Sequence, residues 1–266
     1  MLSASWRIAL ASEVGTSHEV AGTPCQDNAG HAIVHTSQGE VLIVAVSDGA
    51  GSAAFSEVGS SIAVTTFISD VELFITQGGQ VSGIDAAQAS RWVRRAAEAA
   101  TAAAEANEHE ARDYSCTLLA AVVGAEHAAF IQVGDGAIVV SHGDDDGWSY
   151  VFWPQHGEFA NTTNFIQTAE IESIIAFDLA PRRIDELAIF SDGIENLVLH
   201  KASRSVQQSF FQSMIQPVRK TDATGLDQEL SKGLRRYLAS SAICERTDDD
   251  KTLVLATRRP LRCEKR

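Results

Sequence analysis

Two apolar runs, residues 117–123 and 128–133, are separated only by the four residues from Gly124 to His127. A connection that short joins neighbouring strands antiparallel, because a parallel pair needs a crossover of a dozen or more residues. Seven further runs read as strands: 6–10, 41–46, 137–140, 150–153, 174–177, 187–190 and 252–256. Helices come in blocks between them instead of alternating with single strands. Val64, Phe67, Ile68, Val71, Phe74 and Ile75 fall on one helical face. A second helix is expected from about Ile84 to Glu110, with Ala89, Trp92, Val93, Ala96, Ala100 and Ala103 on one stripe. Val206, Phe210 and Met214 mark a third helix, and Leu226, Leu230, Leu234 and Leu238 a fourth. Strands, a helix pair, many strands, a helix pair and a last strand specify a layered α+β fold, expected as a sheet sandwich with helices outside.

No linker-like stretch or internal repeat divides the 266 residues, so a single domain over 1–266 is expected. The net charge of -14 argues against non-specific nucleic-acid binding and against an anionic membrane, both of which need a positive surface. It also means that an anion-binding site must find its cations locally. The cysteines Cys25, Cys116, Cys244 and Cys263 form no CxxC pair and no metal-finger spacing, which fits free thiols in a reducing compartment. The N-terminal stretch has one arginine and only a short apolar run, too weak for a secretory signal, and no apolar run of bilayer-spanning length is evident. A soluble, cytoplasmic protein is the expectation.

Acids recur where apolar runs end. Two stretches, "VAVSDGAGS" and "LAIFSDGIEN", carry a strand-like run straight into Ser-Asp-Gly at Asp48 and Asp192. Asp135 lies between the two runs of "AFIQVGDGAIVV", Asp27 precedes another run in "TPCQDNAG", and Asp248, Asp249 and Asp250 precede the last. Taken singly, each is ordinarily a turn residue capping nearby N–H groups, and the triple is ordinarily a solvated loop. Taken together they imply convergence, since a sheet gathers strand ends along one edge. Converging carboxylates without basic partners repel one another and hold their protons. A hard divalent cation resolves that conflict, and oxygen ligands with few His or Cys favour Mg²⁺ or Mn²⁺ over zinc or copper. A pair of such ions forms a clamp for displacement at phosphorus.

These motifs resemble the metal-dependent (PPM, or type 2C) protein serine/threonine phosphatases, in the family's order, from about Ser17 to Ala256. QDN at 26–28 is similar to its first acidic motif and VSDGAGS at 46–52 to its Asp-Gly-x-Gly-Gly motif. CTLLAAVV at 116–123 resembles the Thr-Thr-Leu strand, and IQVGDGAIVV the Val-Gly-Asp-Ser-Arg strand pair. IFSDGIENL matches the Ser-Asp-Gly motif, and DDKTLVL the terminal Asp-Asn-x-Thr motif. The resemblance implies a four-layer α-β-β-α sandwich of two antiparallel sheets flanked by helix pairs. It implies two core Mn²⁺ or Mg²⁺ ions, with Asp48 bridging them, the Gly49 carbonyl on one, and Asp192 and Asp249 on the second. Asp27 would act through metal-bound water, and Asp135 would help hold a third ion. The implied reaction is hydrolysis of phosphoserine or phosphothreonine in a protein by a metal-bridging hydroxide. The substrate would be the product of a serine/threonine kinase.

The chain departs from the family pattern at the phosphate clamp. Gly22 stands where many members carry an arginine, leaving His18 as the candidate catalytic and substrate-binding replacement and Arg7 as a more distant one. Ala50 replaces a His or Met, Ser52 a Gly, Gly136 and Ala137 the usual Ser-Arg, and Asp250 an Asn. His156 and Asn161 fall where a substrate-side flap would lie. Two other readings stand beside the enzyme: a pseudo-phosphatase that binds phosphoproteins or a kinase without turnover, and a domain whose acids hold a structural metal ion. No cysteine has the Cys-x5-Arg setting of a thiol phosphatase.

Overall fold

The computed structural model describes residues 5–142, 147–155, 163–168 and 170–259. In chain order the elements are β1 (Arg7–Glu13), α1 (Thr16–Ala21), β2 (Asn28–Thr36), β3 (Gly39–Ser47), α2 (Ser56–Thr76), α3 (Ala86–Ala106), β4 (Leu118–Val123), β5 (Ala128–Val133) and β6 (Ala137–Ser141). There follow β7 (Ser149–Tyr150), α4 (Ile171–Ile174), β8 (Ala176–Ala180), β9 (Glu186–Phe190), α5 (Glu195–Val198), β10 (Leu199–His200), β11 (Ser205–Val206), α6 (Gln208–Lys220), β12 (Gly225–Leu226), α7 (Gln228–Leu238), α8 (Ser241–Cys244) and β13 (Lys251–Thr257).

One sheet has the order β12-β1-β13-β9-β6-β7 and the other β2-β3-β4-β5-β8, with β10 and β11 forming a small separate pair. All pairings are antiparallel except the short one between β1 and β12. Period-two alternation sorts the side chains into layers. In β3, Leu42, Val44 and Val46 face the opposite sheet, while Val41, Ile43 and Ala45 face α2 and α3. In β9 and β13, Leu187, Ile189, Val254 and Ala256 fill the space between sheets, while Ala188, Phe190, Leu253 and Leu255 meet α6 and α7. Central strands are therefore apolar on both faces, which is why they read as continuous runs. Phe67 and Phe130 are fully buried in two of these layers, each worth roughly 1.5–3 kcal/mol of transfer from water.

Helix α2 has 21 residues and an 18-residue window of mean hydropathy 1.5, long and apolar enough by those measures to cross a bilayer. That corrects the expectation of no such run. Its Val64, Phe67, Val71 and Ile75 pack on the five-stranded sheet, as a core helix does. Helix α3 starts at Ala86 because Asp85 caps it, accepting the Gln88 N–H at 2.7 Å. In α6 the buried positions are Phe211, Ile215 and Val218, one residue round from the expected stripe, and Val206 belongs to β11. Leu226 likewise lies in β12, ahead of α7, whose N-cap is Asp227. Of the run 150–153 only Tyr150 is in a strand, and the run 174–177 is a strand only from Ala176.

The register of the ladders aligns the acids. Asn28 pairs with Ser47, which sets Asp27 beside Asp48. Phe190 pairs with both Ala137 and Leu253, so Asp192, Asp135 and the Asp248–Asp250 segment leave the other sheet at the same end.

Candidate metal centre

Asp48 follows β3 and is pinned by the neighbouring strand. Its N–H donates to Thr117 Oγ1 at 2.9 Å, and the Thr117 N–H donates to its carbonyl at 2.8 Å. Ser47, fully buried, donates to the Thr117 carbonyl at 2.5 Å. Asp192 opens a 3-10 turn after β9. The glycine after it is required by packing: a Cβ on Gly193 would lie 1.8 Å from the Asp250 carbonyl oxygen. Ser191, also fully buried, donates to Asp27 Oδ2 at 2.7 Å and accepts the Thr252 N–H at 3.0 Å. Asp135 sits in the turn between β5 and β6, where Gln132 Nε2 donates to the carbonyls of Gly134 and Gly136, each at 3.1 Å. The Thr163 hydroxyl donates to Asp135 Oδ2.

One carboxylate oxygen from each of Asp48, Asp135 and Asp192 lies within 4.8 Å of the others. Asp249 joins them around a cavity of about 120 Å³, which Gly49, Thr117, Thr163 and Phe165 also line. Asp27, 5% exposed, sits behind them. No Lys or Arg among the described residues lines the cavity. Burial first, and then the negative charges of Asp27 and Asp192, push the Asp48 carboxyl well above its ordinary range. Asp192 is pushed to about 7 by burial and by Asp135 and Asp249. Asp27 is pushed to about 6 by burial, against the lowering effect of the Ser191 hydrogen bond. Burial likewise raises Asp249.

Asp27 Oδ1 and Asp192 Oδ1 are buried and receive no hydrogen bond. Buried acceptors without donors are costly. Hard oxygen donors, mutual repulsion and two orphaned oxygens are what a site for divalent cations presents, so the residues fit Mg²⁺ or Mn²⁺.

Asp250 is turned into the protein, 2% exposed, and accepts the N–H groups of Gly15 and Gln26, each at 2.6 Å. His18 Nδ1 lies 3.0 Å from Asp250 Oδ2, an ion-pair approach without the alignment of a hydrogen bond. His18 is on α1 and is not among the residues that line the cavity, while Gly22 caps that helix with φ +71°. Arg7 is at the far end of β1, paired with Thr257, whereas the site end of that ladder is Glu13 against Lys251. Its guanidinium donates to the carbonyls of Arg219 and Arg259, which removes it as a phosphate-binding candidate. His156, Asn161 and Cys263 lie outside the described residues; Cys25, Cys116 and Cys244 are free thiols.

Ser47, Ser191, Thr117 and Thr163 hold the site and were not singled out from sequence. The available signals are the serine that both Ser-Asp-Gly stretches carry and the place of Thr117 in the run that resembles the Thr-Thr-Leu strand.

A family model described as protein phosphatase 2C matches residues 14–235. The chain is 36% identical over 253 residues to serine/threonine-protein phosphatase 3 of Escherichia coli (strain K12), covering 95% of this chain and 98% of that protein. Among solved structures, the catalytic domain of the serine threonine protein phosphatase PstP in complex with two manganese ions matches with TM-score 0.60 at 16% identity, over 95% of this chain and 98% of that one. Serine/threonine phosphatase Stp1 from Staphylococcus aureus matches with TM-score 0.58 at 15% identity, over 94% of each chain. These two structures establish likeness of fold.

Proposed function

This chain belongs to the protein phosphatase 2C family, and from that premise we propose that it hydrolyses phosphoserine and phosphothreonine esters in proteins, at the cavity ringed by Asp48, Asp135, Asp192 and Asp249. The observation that carries the reading is the convergence of three of these carboxylates within 4.8 Å, with no Lys or Arg among the described residues lining the cavity. Asp48, Asp192, Asp249 and the Gly49 carbonyl would hold two core divalent ions, Asp27 would act from behind them, and Asp135 would serve a third. Mn²⁺ and Mg²⁺ both suit this oxygen set. When bound, such ions would supply charge to offset that on the phosphoryl oxygens and would make water a stronger nucleophile.

The chain's own residues prepare that chemistry. Burial raises the Asp27, Asp48 and Asp192 carboxyls, and these residues would release the protons they hold on taking a divalent ion. Ser191 and Thr163 orient carboxylates of the site, as partners behind a metal's ligands do, while Thr117 fixes the backbone of Asp48. His18, its Nδ1 against Asp250, has Nε2 as the ring nitrogen left for a substrate phosphate oxygen. The phosphoprotein substrates are then those of a serine/threonine kinase.

Hydrolysis of a phosphothreonine peptide, followed with Mn²⁺, with Mg²⁺ and with a chelator, tests the reading. Turnover that needs either ion supports it. Absence of turnover from a folded, metal-loaded protein overturns it.

A further inference from the structure

Asp250 and Lys251, consecutive and opposite in charge, grip the two polar groups of a single peptide unit. Lys251 Nζ donates to the carbonyl of Val14 at 3.0 Å, and Asp250 Oδ1 accepts the Gly15 N–H at 2.6 Å. Both side chains are buried, at 0% and 2% exposure. Each also makes a second attachment. Lys251 Nζ donates to the Asp249 carbonyl at 3.1 Å, and Asp250 Oδ2 accepts the Gln26 N–H at 2.6 Å. The gripped peptide lies so close to the segment ahead of β13 that a Cβ on Gly15 would fall 2.4 Å from the Asp248 carbonyl oxygen and the Asp249 carbonyl carbon.

The consequence is geometric. The segment 14–26, which contains α1 and leads directly into Asp27, has both ends fastened to one carboxylate. The backbone of Asp249 is fastened to the same segment through Lys251. Two acids facing the metal centre from different parts of the chain therefore share one anchor. Burying two charges is expensive unless both are well satisfied, and a carboxylate suits this task better than an amide. Asp250 uses both oxygens as acceptors, whereas an asparagine would turn its NH₂ group toward one of the two N–H donors.

We propose that Asp250 and Lys251 are a positioning pair that sets Asp27 and Asp249 relative to Asp48 and Asp192, without themselves touching the ions. The proposal rests on the phosphatase reading only for which residues face the metal. Partners behind metal ligands change metal affinity by about 10–100-fold when removed.

The test is calorimetric titration of Mn²⁺ into the whole protein, with Asp250→Asn, Lys251→Met and the double variant beside it. Each single change is expected to weaken Mn²⁺ binding by about tenfold or more. The double variant is expected to be no weaker than the poorer single, because both side chains act on one peptide unit. Single variants that melt lower yet bind Mn²⁺ within twofold of the unsubstituted protein would overturn the proposal, as would losses that multiply in the double variant. Should the charge variants not fold, Gly15→Ala decides, since it keeps both side chains and displaces the gripped peptide. Wild-type Mn²⁺ affinity in folded Gly15→Ala contradicts the pairing, and a tenfold loss supports it. An unsubstituted protein that binds Mn²⁺ but turns over no phosphopeptide defeats the phosphatase reading alone.

Discussion

Ser191 Oγ donates to Asp27 Oδ2 across 2.7 Å, joining residues 164 positions apart in the chain. The bond ties the end of β9 in one sheet to the residue before β2 in the other, so the two halves of the sandwich meet at the acids. The same hydroxyl accepts the Thr252 N–H, which brings the last strand into the junction.

Ser191→Ala removes the donor from Asp27 and the acceptor from Thr252 at once. Leaving buried polar groups unsatisfied costs about 1–3 kcal/mol, and urea denaturation of the metal-free protein is expected to show a loss of that size. A change below about 0.5 kcal/mol, the range of an ordinary surface substitution, would show that the junction carries no strain-free bond worth keeping.

Metal-free stability is expected to fall as pH rises. Burial pushes Asp27 up to about 6 and Asp192 up to about 7 in the folded protein, against an ordinary 3.8. Between those limits the folded state holds protons that the unfolded chain has released, so stability is greatest below about pH 4 in these two groups and is lost as pH climbs through 6 and 7. Denaturation in chelator at pH 5 and pH 8 should show the protein weaker at pH 8, with Mn²⁺ reversing the difference. A flat or rising metal-free profile would contradict the pKa directions.

The two candidates for the phosphate clamp separate cleanly. His18→Ala is expected to raise KM for a phosphothreonine peptide by about tenfold, the loss of one interaction of about 1.4 kcal/mol. Arg7→Met is expected to lower stability, since Arg7 is buried and donates to two carbonyls, while KM and Mn²⁺ affinity stay put. An Arg7→Met variant with raised KM and unchanged stability would reverse the assignment.

Gly193→Ala places a methyl group 1.8 Å from the Asp250 carbonyl oxygen. Backbone is the obstacle, so the turn or the start of β13 must move, and a loss of at least about 1–3 kcal/mol is expected. An unchanged melting temperature would show that the terminal motif and the Ser-Asp-Gly turn are not packed as described.

What sequence conveyed follows from burial. Strands β3, β4, β5, β6, β9 and β13 face a core layer on each side, so they stand out as apolar runs. Strand β2 does not, because Val34 is its one buried residue among nine at the sheet edge. The third helix was placed one residue off because Phe210 and Met214 are only half-buried while Phe211 and Ile215 point inward. The acids were legible because Asp before Gly at the end of an apolar run is conspicuous. The hydroxyls that hold them were not, since a buried Ser or Thr next to a strand looks the same whether it fills space or orients a carboxylate. Arg7 and His18 were ranked by distance along the chain, but the β1–β13 register, which puts Arg7 at the wrong end, comes only with the pairing.

On the proposed function, Asp48 and its neighbours are a divalent-metal centre that hydrolyses phosphoproteins. The most direct measurement is phosphothreonine-peptide turnover by Asp48→Asn, taken together with Mn²⁺ binding on the same folded sample. Asp48→Asn is expected to keep the wild-type circular dichroism, to bind Mn²⁺ at least about tenfold more weakly and to lose turnover by about 100-fold or more. Asp48→Asn with wild-type turnover and wild-type Mn²⁺ affinity would contradict the proposed function.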